Sequence, residues 1–248
     1  MSEAVVVADA ELEGVVRISA DRSLPTPHVV VIGSMHGDEH CGLEAIRRLR
    51  HDADEGRLVP ARGTLVLVHG NPHATRQHRR YGEGGVDLNR LFDWHFLEDL
   101  PRERWTWEHE RASALKSIFE EADYMLDLHS AFAPTAPFAI VNEVEGSLEL
   151  ARRIGVGYAS YGWFGGGFLG DRTSMGVLAR RGRPGVAVEC GSHDDPEAPD
   201  VAYEVARRFL GTLEVIDVPA PEEKLLELEM FAVLTKPSEG FRFHGYVH

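Results

Sequence analysis

The chain has 248 residues, 43% of them hydrophobic and 27% charged, enough for one large hydrophobic core and unlike disordered, collagen-like or disulfide-scaffold chains. Its formal net charge of -14, from 40 acidic against 26 basic residues, would repel a phosphate backbone, so nucleic acid is not an expected partner. Two cysteines without CxxC spacing, Cys41 and Cys190, are read as small buried apolar residues in a reducing compartment.

In chain order, residues 4–19 alternate as an edge hairpin. The start, MSEAVVVADAELEG, carries acids where a signal peptide needs bases, and no apolar run in the chain reaches the ~18 residues of a membrane span. A cytoplasmic location and no membrane partner are therefore expected. HVVVIGS (28–34), GTLVLVHG (63–70), DYMLDLHS (123–130) and GVAVECG (185–191) are β-branched, apolar runs bounded by turn or polar residues, and so predict buried strands. Between them, GLEAIRRLRHDA (42–53), WEHERASALKSIFEEA (107–122) and PDVAYEVARRFLGTLEVI (199–216) repeat apolar residues at three- and four-residue spacing, which predicts helices. The irregular stretch 70–106, with GNP, GEGG and several aromatics, is longer than an ordinary connection and so a candidate functional loop. A proline-containing stretch, DVPAPEE (217–223), precedes a tail of two or three strands. The expected architecture is α/β: a mainly parallel mixed central sheet flanked by helices on both faces, with residues 1–217 as the catalytic domain and 218–248 as a short β-rich C-terminal extension.

A catalytic zinc site needs three protein ligands, often two histidines and a carboxylate, with a fourth position open to water. His36 and Glu39, in SMHGDEH, follow directly on the strand HVVVIGS, and ligands in open α/β sheets bind beyond the carboxyl ends of strands. A second HxxE pair, His95 and Glu98, has no strand leading into it and is set aside. His129 ends the strand in LDLHS, and Asp127, two residues earlier, is placed to orient a ligand. Glu189, at the end of GVAVEC, reaches the same sheet edge, where a carboxylate can take a proton from water and return it to a leaving nitrogen. The loop GNPHATRQHRRYGEGGVDLNRLF supplies Arg76, Arg79, Arg80 and Arg90 beside Asn89; guanidinium groups suit a substrate carboxylate or a developing oxyanion, though a solvated basic stretch has the same composition.

These motifs, HGDE, then GNPHATRQHRRYGEGGVDLNR, then LDLHS, then VAVECG, resemble those of the succinylglutamate desuccinylase and aspartoacylase family, relatives of the zinc carboxypeptidases, over residues 28 to 215. The resemblance implies a zinc carboxypeptidase-like fold and one zinc per chain held by His36, Glu39 and His129. It also implies Glu189 as general base and acid, Arg80 as the residue polarising the carbonyl, and Asn89 and Arg90 as holders of the substrate carboxylate. Two departures stand out. The GEGGV spacer is longer than the usual form, and the β-rich part after the proline stretch is smaller than in family members, where it closes over the site; Tyr246 is a candidate lid tyrosine.

The expected function is zinc-dependent hydrolysis of a small amide, an N-acyl amino acid, by a cytoplasmic enzyme that is a candidate homodimer. A metallocarboxypeptidase would share the metal ligands but needs subsite walls for a peptide. A non-catalytic zinc- or ligand-binding member of the fold would have no need of Glu189. A cysteine hydrolase built on Cys190 lacks an evident histidine partner.

Overall fold

A computed structural model describes residues 4–21, 23–165, 169–219 and 224–230. In chain order the elements are β1 (Val5–Ala8), β2 (Val15–Ser19), β3 (His28–Gly33), α1 (His40–Asp54), β4 (Thr64–His69), α2 (Pro72–Arg76), α3 (Trp94–Asp99), α4 (Trp107–Glu121), β5 (Tyr124–Ala131), β6 (Phe138–Val141), α5 (Ser147–Arg153), β7 (Tyr158–Tyr161), α6 (Ser174–Arg180), β8 (Gly185–Ser192), α7 (Ala198–Thr212) and β9 (Leu226–Glu229). The strands form one sheet in the order β1-β2-β4-β3-β5-β8-β6-β7-β9. Its centre, β4-β3-β5-β8, is parallel; the pairs β1-β2, β2-β4 and β8-β6 are antiparallel, and β6, β7 and β9 are parallel to one another.

Side chains alternate between the two faces of a strand, and here both faces are apolar because both are covered. Val29, Val31, Leu65, Leu67, Leu126, Leu128, Val186 and Val188 pack under α1, α5 and α7. Val30, Ile32, Val66, Val68, Met125 and Ala187 pack under α4 and α6. Helix α1 joins the first layer through Cys41, Leu43, Ala45, Ile46, Leu49 and Ala53, a stripe of three- and four-residue steps.

The four predicted strands are the parallel core of the sheet, and the hairpin is β1 and β2. The stretch 70–106 is broken by α2, α3 and two short 3-10 turns rather than being structureless. Of the C-terminal extension, β9 pairs in parallel with β7 at the sheet edge; Tyr246 lies outside the described residues. Among the described residues no helix is long and apolar enough to cross a membrane.

Candidate metal centre and its cavity

Three parallel strands deliver their carboxyl ends to one place, on the face that α4 and α6 cover. After β3 the chain turns through Ser34, buried and held at a φ of 55°, a left-handed conformation that costs energy for a residue with a Cβ. Ser34 Oγ donates to the His36 carbonyl at 3.0 Å, which steadies the turn. The next residue in the loop that must be small is Gly37, where a Cβ would meet the Ala74 carbonyl carbon of α2 at 2.2 Å. Glu39 then stands at the N-cap of α1. From β5 comes His129, in register with Glu189 of β8 on the neighbouring strand.

His36, Glu39 and His129 are all buried, and one ligand atom from each lies within 4.8 Å of the others. His36 Nδ1 is 2.8 Å from Glu39 Oε1, and His129 Nδ1 is 2.7 Å from Glu39 Oε2. The opposite nitrogen of each ring meets a carboxylate of its own: His36 Nε2 lies 3.1 Å from Asp87 Oδ1, and His129 Nε2 lies 3.2 Å from Asp127 Oδ1. Asp127 is wholly buried, and its other oxygen accepts from Ser174 Oγ at 2.5 Å. The hydrogen bond with Asp87 fixes the tautomer of His36, while Asp127 acts on His129 as a nearby charge that raises its basicity, and metal-ligating histidines usually have such carboxylates behind them.

The electrostatics of the cluster favour cationic character at its centre. Burial alone would push His36 and His129 down, but Asp87 and Glu39 around the first, and Asp127 and Glu39 around the second, outweigh it and hold both above their ordinary range. Burial would raise Glu39, yet the two imidazoles hold it far below the usual carboxylate range. The same carboxylates that raise the two imidazoles would favour a divalent cation, which competes with protons for these ligands. A set of two histidines and one glutamate fits a divalent metal with an open position. A second grouping, Asp38, Glu39 and His193, meets the same distance limit but shares Glu39 with the first.

Glu189 is set apart from these ligands by its surroundings. Burial, joined by the nearby Glu39 charge, raises its carboxyl above the ordinary value against the pull of His129, His36 and Arg80. Its Oε2 is buried without a hydrogen-bond partner among the described residues. A carboxylate with a raised pKa and an unused oxygen is equipped to exchange protons.

A cavity of about 330 Å³ opens over the cluster, and its lining includes the seven residues to which the family resemblance gave a role: His36, Glu39, Arg80, Asn89, Arg90, His129 and Glu189. Arg80 Nη1 donates to Glu39 Oε1 at 2.8 Å and its Nε to the Tyr81 hydroxyl at 3.1 Å. Asn89 is buried, with Oδ1 accepting from the Ser174 backbone N–H at 3.0 Å, and Arg90 Nη1 donates to the Asn89 carbonyl at 2.7 Å. Of the other loop arginines, Arg79 is exposed and Arg76 pairs with Glu13 on the surface. The pair set aside also lies elsewhere: His95 is exposed on α3, and Glu98 binds Lys116 at 3.0 Å.

The sequence profile of the succinylglutamate desuccinylase/aspartoacylase catalytic domain matches residues 25–200. The chain belongs to this family. The family match takes in every one of the seven cavity residues. Among family relatives, the succinylglutamate desuccinylase of Erwinia tasmaniensis is 34% identical over 123 residues, 48% of this chain and 36% of that protein. The N-acyl-aromatic-L-amino acid amidohydrolase (carboxylate-forming) of Rattus norvegicus is 32% identical over 126 residues, 48% of this chain and 38% of that protein. The chain thus spans little more than a third of the length of these curated relatives. The crystal structure of the succinylglutamate desuccinylase from Chromobacterium violaceum has the same fold, with a TM-score of 0.72 at 20% identity, covering 92% of this chain and 76% of that one.

Sequence reasoning missed Asp87, Ser174 and the apolar side of the cavity. Asp87 lies two positions before Asn89 in the motif that drew attention to the arginines, and its contact with His36 spans 51 residues. Ser174 opens a seven-residue helix, and nothing in its local sequence sets it apart from any other helix-start serine.

Proposed function

We propose that the protein is a zinc-dependent hydrolase that cleaves the amide bond of an N-acyl amino acid, releasing a carboxylate and an amine. The observation that carries this reading is the meeting of His36, Glu39 and His129 within 4.8 Å in one cavity with the proton-exchanging carboxyl of Glu189. The names of the family relatives, a succinylglutamate desuccinylase and an N-acyl-aromatic-L-amino acid amidohydrolase, support the same substrate class. In this reading His36, Glu39 and His129 hold one zinc per chain. When bound there, zinc supplies Lewis acidity, making water a stronger acid and a carbonyl more electrophilic.

The chain's own residues supply the rest. Glu189 accepts a proton from the attacking water as the new C–O bond forms, and returns it to the amide nitrogen as the C–N bond breaks. Arg80 is oriented by Glu39 and Tyr81 and has N–H groups left over for the developing oxyanion. Asn89 still has its amide NH2 to offer, because its oxygen is taken by the Ser174 N–H, and with Arg90 it would hold the substrate carboxylate by charge-assisted hydrogen bonds. The proposed catalytic domain is residues 1–217, with 218–248 as a small extension. The buried free thiols of Cys41 and Cys190 suit a cytoplasmic location.

The test is direct. The purified protein is brought to one zinc per chain by elemental analysis and given N-acyl amino acids, with amine release followed by a ninhydrin assay. Release by the wild type, lost together with the zinc in His129→Ala, is the expected result. A zinc-loaded protein that releases no amine from any N-acyl amino acid would sink the proposal.

A further inference from the structure

The cavity has two unlike walls. Beside the metal-ligand cluster, its lining includes the apolar residues Ile140, Trp163, Phe164, Met175 and Ala187, with the exposed Phe132. This wall is built before any ligand arrives. Met175 and Ala187 are buried members of the core under α4 and α6, and Ile140 and Phe164 pack against that core. The indole N–H of Trp163 donates to Ser160 Oγ at 2.9 Å, so its polar end is already satisfied and what remains for a ligand is ring surface. Phe132 is 93% exposed although it lines the cavity, and an aromatic ring left in water at a pocket mouth gains from being covered.

The charges in the cavity point the same way. Away from the metal-ligand cluster, the cations among the described lining residues are Arg80 and Arg90. Arg80 is already engaged by Glu39 at 2.8 Å and lies 3.9 Å from Asp87. Its remaining N–H groups are those proposed above for the developing oxyanion, which leaves Arg90, with Asn89, for the substrate carboxylate. A second substrate carboxylate on the apolar wall would meet ring and thioether surface, the lining hydroxyls of Ser130 and Thr173 being engaged by His193 and the Gly170 carbonyl, and a charge desolvated without a charged partner is strongly disfavoured.

Resting on the deacylase reading above, we propose that this chain selects N-acyl amino acids that carry a single carboxylate and an apolar or aromatic body, with Trp163 and Met175 as the specificity-determining residues, and discriminates against acidic substrates. The zinc-loaded protein is assayed with N-acetyl-L-phenylalanine, N-benzoylglycine, N-acetyl-L-aspartate and N-succinyl-L-glutamate. The expected result is kcat/KM at least about tenfold higher for one or both apolar compounds than for either acidic one, the scale on which apolar pocket contacts discriminate. Which apolar compound is preferred shows whether the wall receives the side chain or the acyl group. Trp163→Ala should narrow the preference by about tenfold, and Trp163→Phe should restore most of it. Equal or greater kcat/KM for an acidic compound overturns the proposal, as does an unchanged preference in Trp163→Ala. Titration calorimetry on zinc-loaded Glu189→Gln separates the two levels of inference. If the wild type hydrolyses nothing but the variant binds N-acetyl-L-phenylalanine and not N-acetyl-L-aspartate, the selectivity stands and the deacylase reading falls; if the wild type hydrolyses nothing and the variant binds neither, both fall.

Discussion

Replacing Asp127 by asparagine would test whether the carboxylate behind His129 sets the affinity of the metal site. The shape of the side chain is kept and only its charge is removed. Asp127 is fully buried, with Oδ1 3.2 Å from His129 Nε2 and Oδ2 accepting from Ser174 Oγ. Asparagine can present its amide in two orientations. With the oxygen toward His129, a neutral acceptor replaces a charged one and the imidazole becomes less basic. With the nitrogen toward it, donor meets donor, and the ring must carry its proton on Nδ1, the atom that faces Glu39. Both outcomes weaken a metal. Loss of such a supporting carboxylate costs about 10- to 100-fold in metal affinity. The 3.2 Å separation is longer than the roughly 2.7–2.9 Å of a strong charge-assisted bond, which places the expected loss near tenfold, or about 1.4 kcal/mol. The assay is competition for zinc against a chelator of known affinity, with the unfolding midpoint of the metal-free variant measured alongside. A folded Asp127→Asn protein that binds zinc as tightly as the wild type would refute the reasoning.

Three further outcomes are expected. Glu189→Gln keeps its zinc by elemental analysis but loses about 10² to 10⁴ in kcat; full turnover would remove Glu189 from its proposed role. His69, held down to about 4 from 6.5 by burial and then by Arg111, Arg47 and Arg76, is neutral when folded, whereas the unfolded chain takes up its proton below about 6.5. Its contribution, at most about 3 kcal/mol, is therefore complete above that pH, shrinks as pH falls and levels off near 4. Urea midpoints at pH 7 and pH 4.5 should differ less in His69→Gln than in the wild type, and equal differences would contradict this. Gly42→Ala would place a Cβ 2.7 Å from the Leu128 carbonyl oxygen and 2.8 Å from its Cβ, forcing α1 off the sheet at a cost of about 1–3 kcal/mol, readable by chemical denaturation; an unchanged midpoint would show that the helix yields freely.

The centre of this fold was legible because its strands are long and apolar on both faces. HVVVIG, TLVLVH, YMLDLHSA and GVAVECGS have no competing reading, and their carboxyl ends indicated where to look for chemistry. The region between β5 and β8 was not legible. β6 and β7 are four residues each, FAIV and YASY, too short for periodicity to register. The same gap hid Trp163, Phe164, Met175 and Ser174, residues whose importance lies in contacts made across the sheet rather than in any local pattern. His36, Glu39, His129 and Glu189 could be singled out because each is a reactive side chain at a strand end; Asp87 could not, because a carboxylate in a turn is ordinary until its partner is known.

Ser174 gives this site a particular history of constraint. Its backbone N–H holds the Asn89 side chain and its hydroxyl holds Asp127, so one residue joins the candidate carboxylate anchor to the support of a candidate metal ligand. A substitution that re-tunes Asn89 for a different amino acid would disturb the hydrogen bond that holds Asp127 near His129 as well, and the effects of paired changes at Asn89 and Asp127 should not add. Descendants of this chain would find new substrates more easily by altering Trp163, whose indole is tied to Ser160 rather than to the support of the metal ligands, than by altering the grip on the carboxylate.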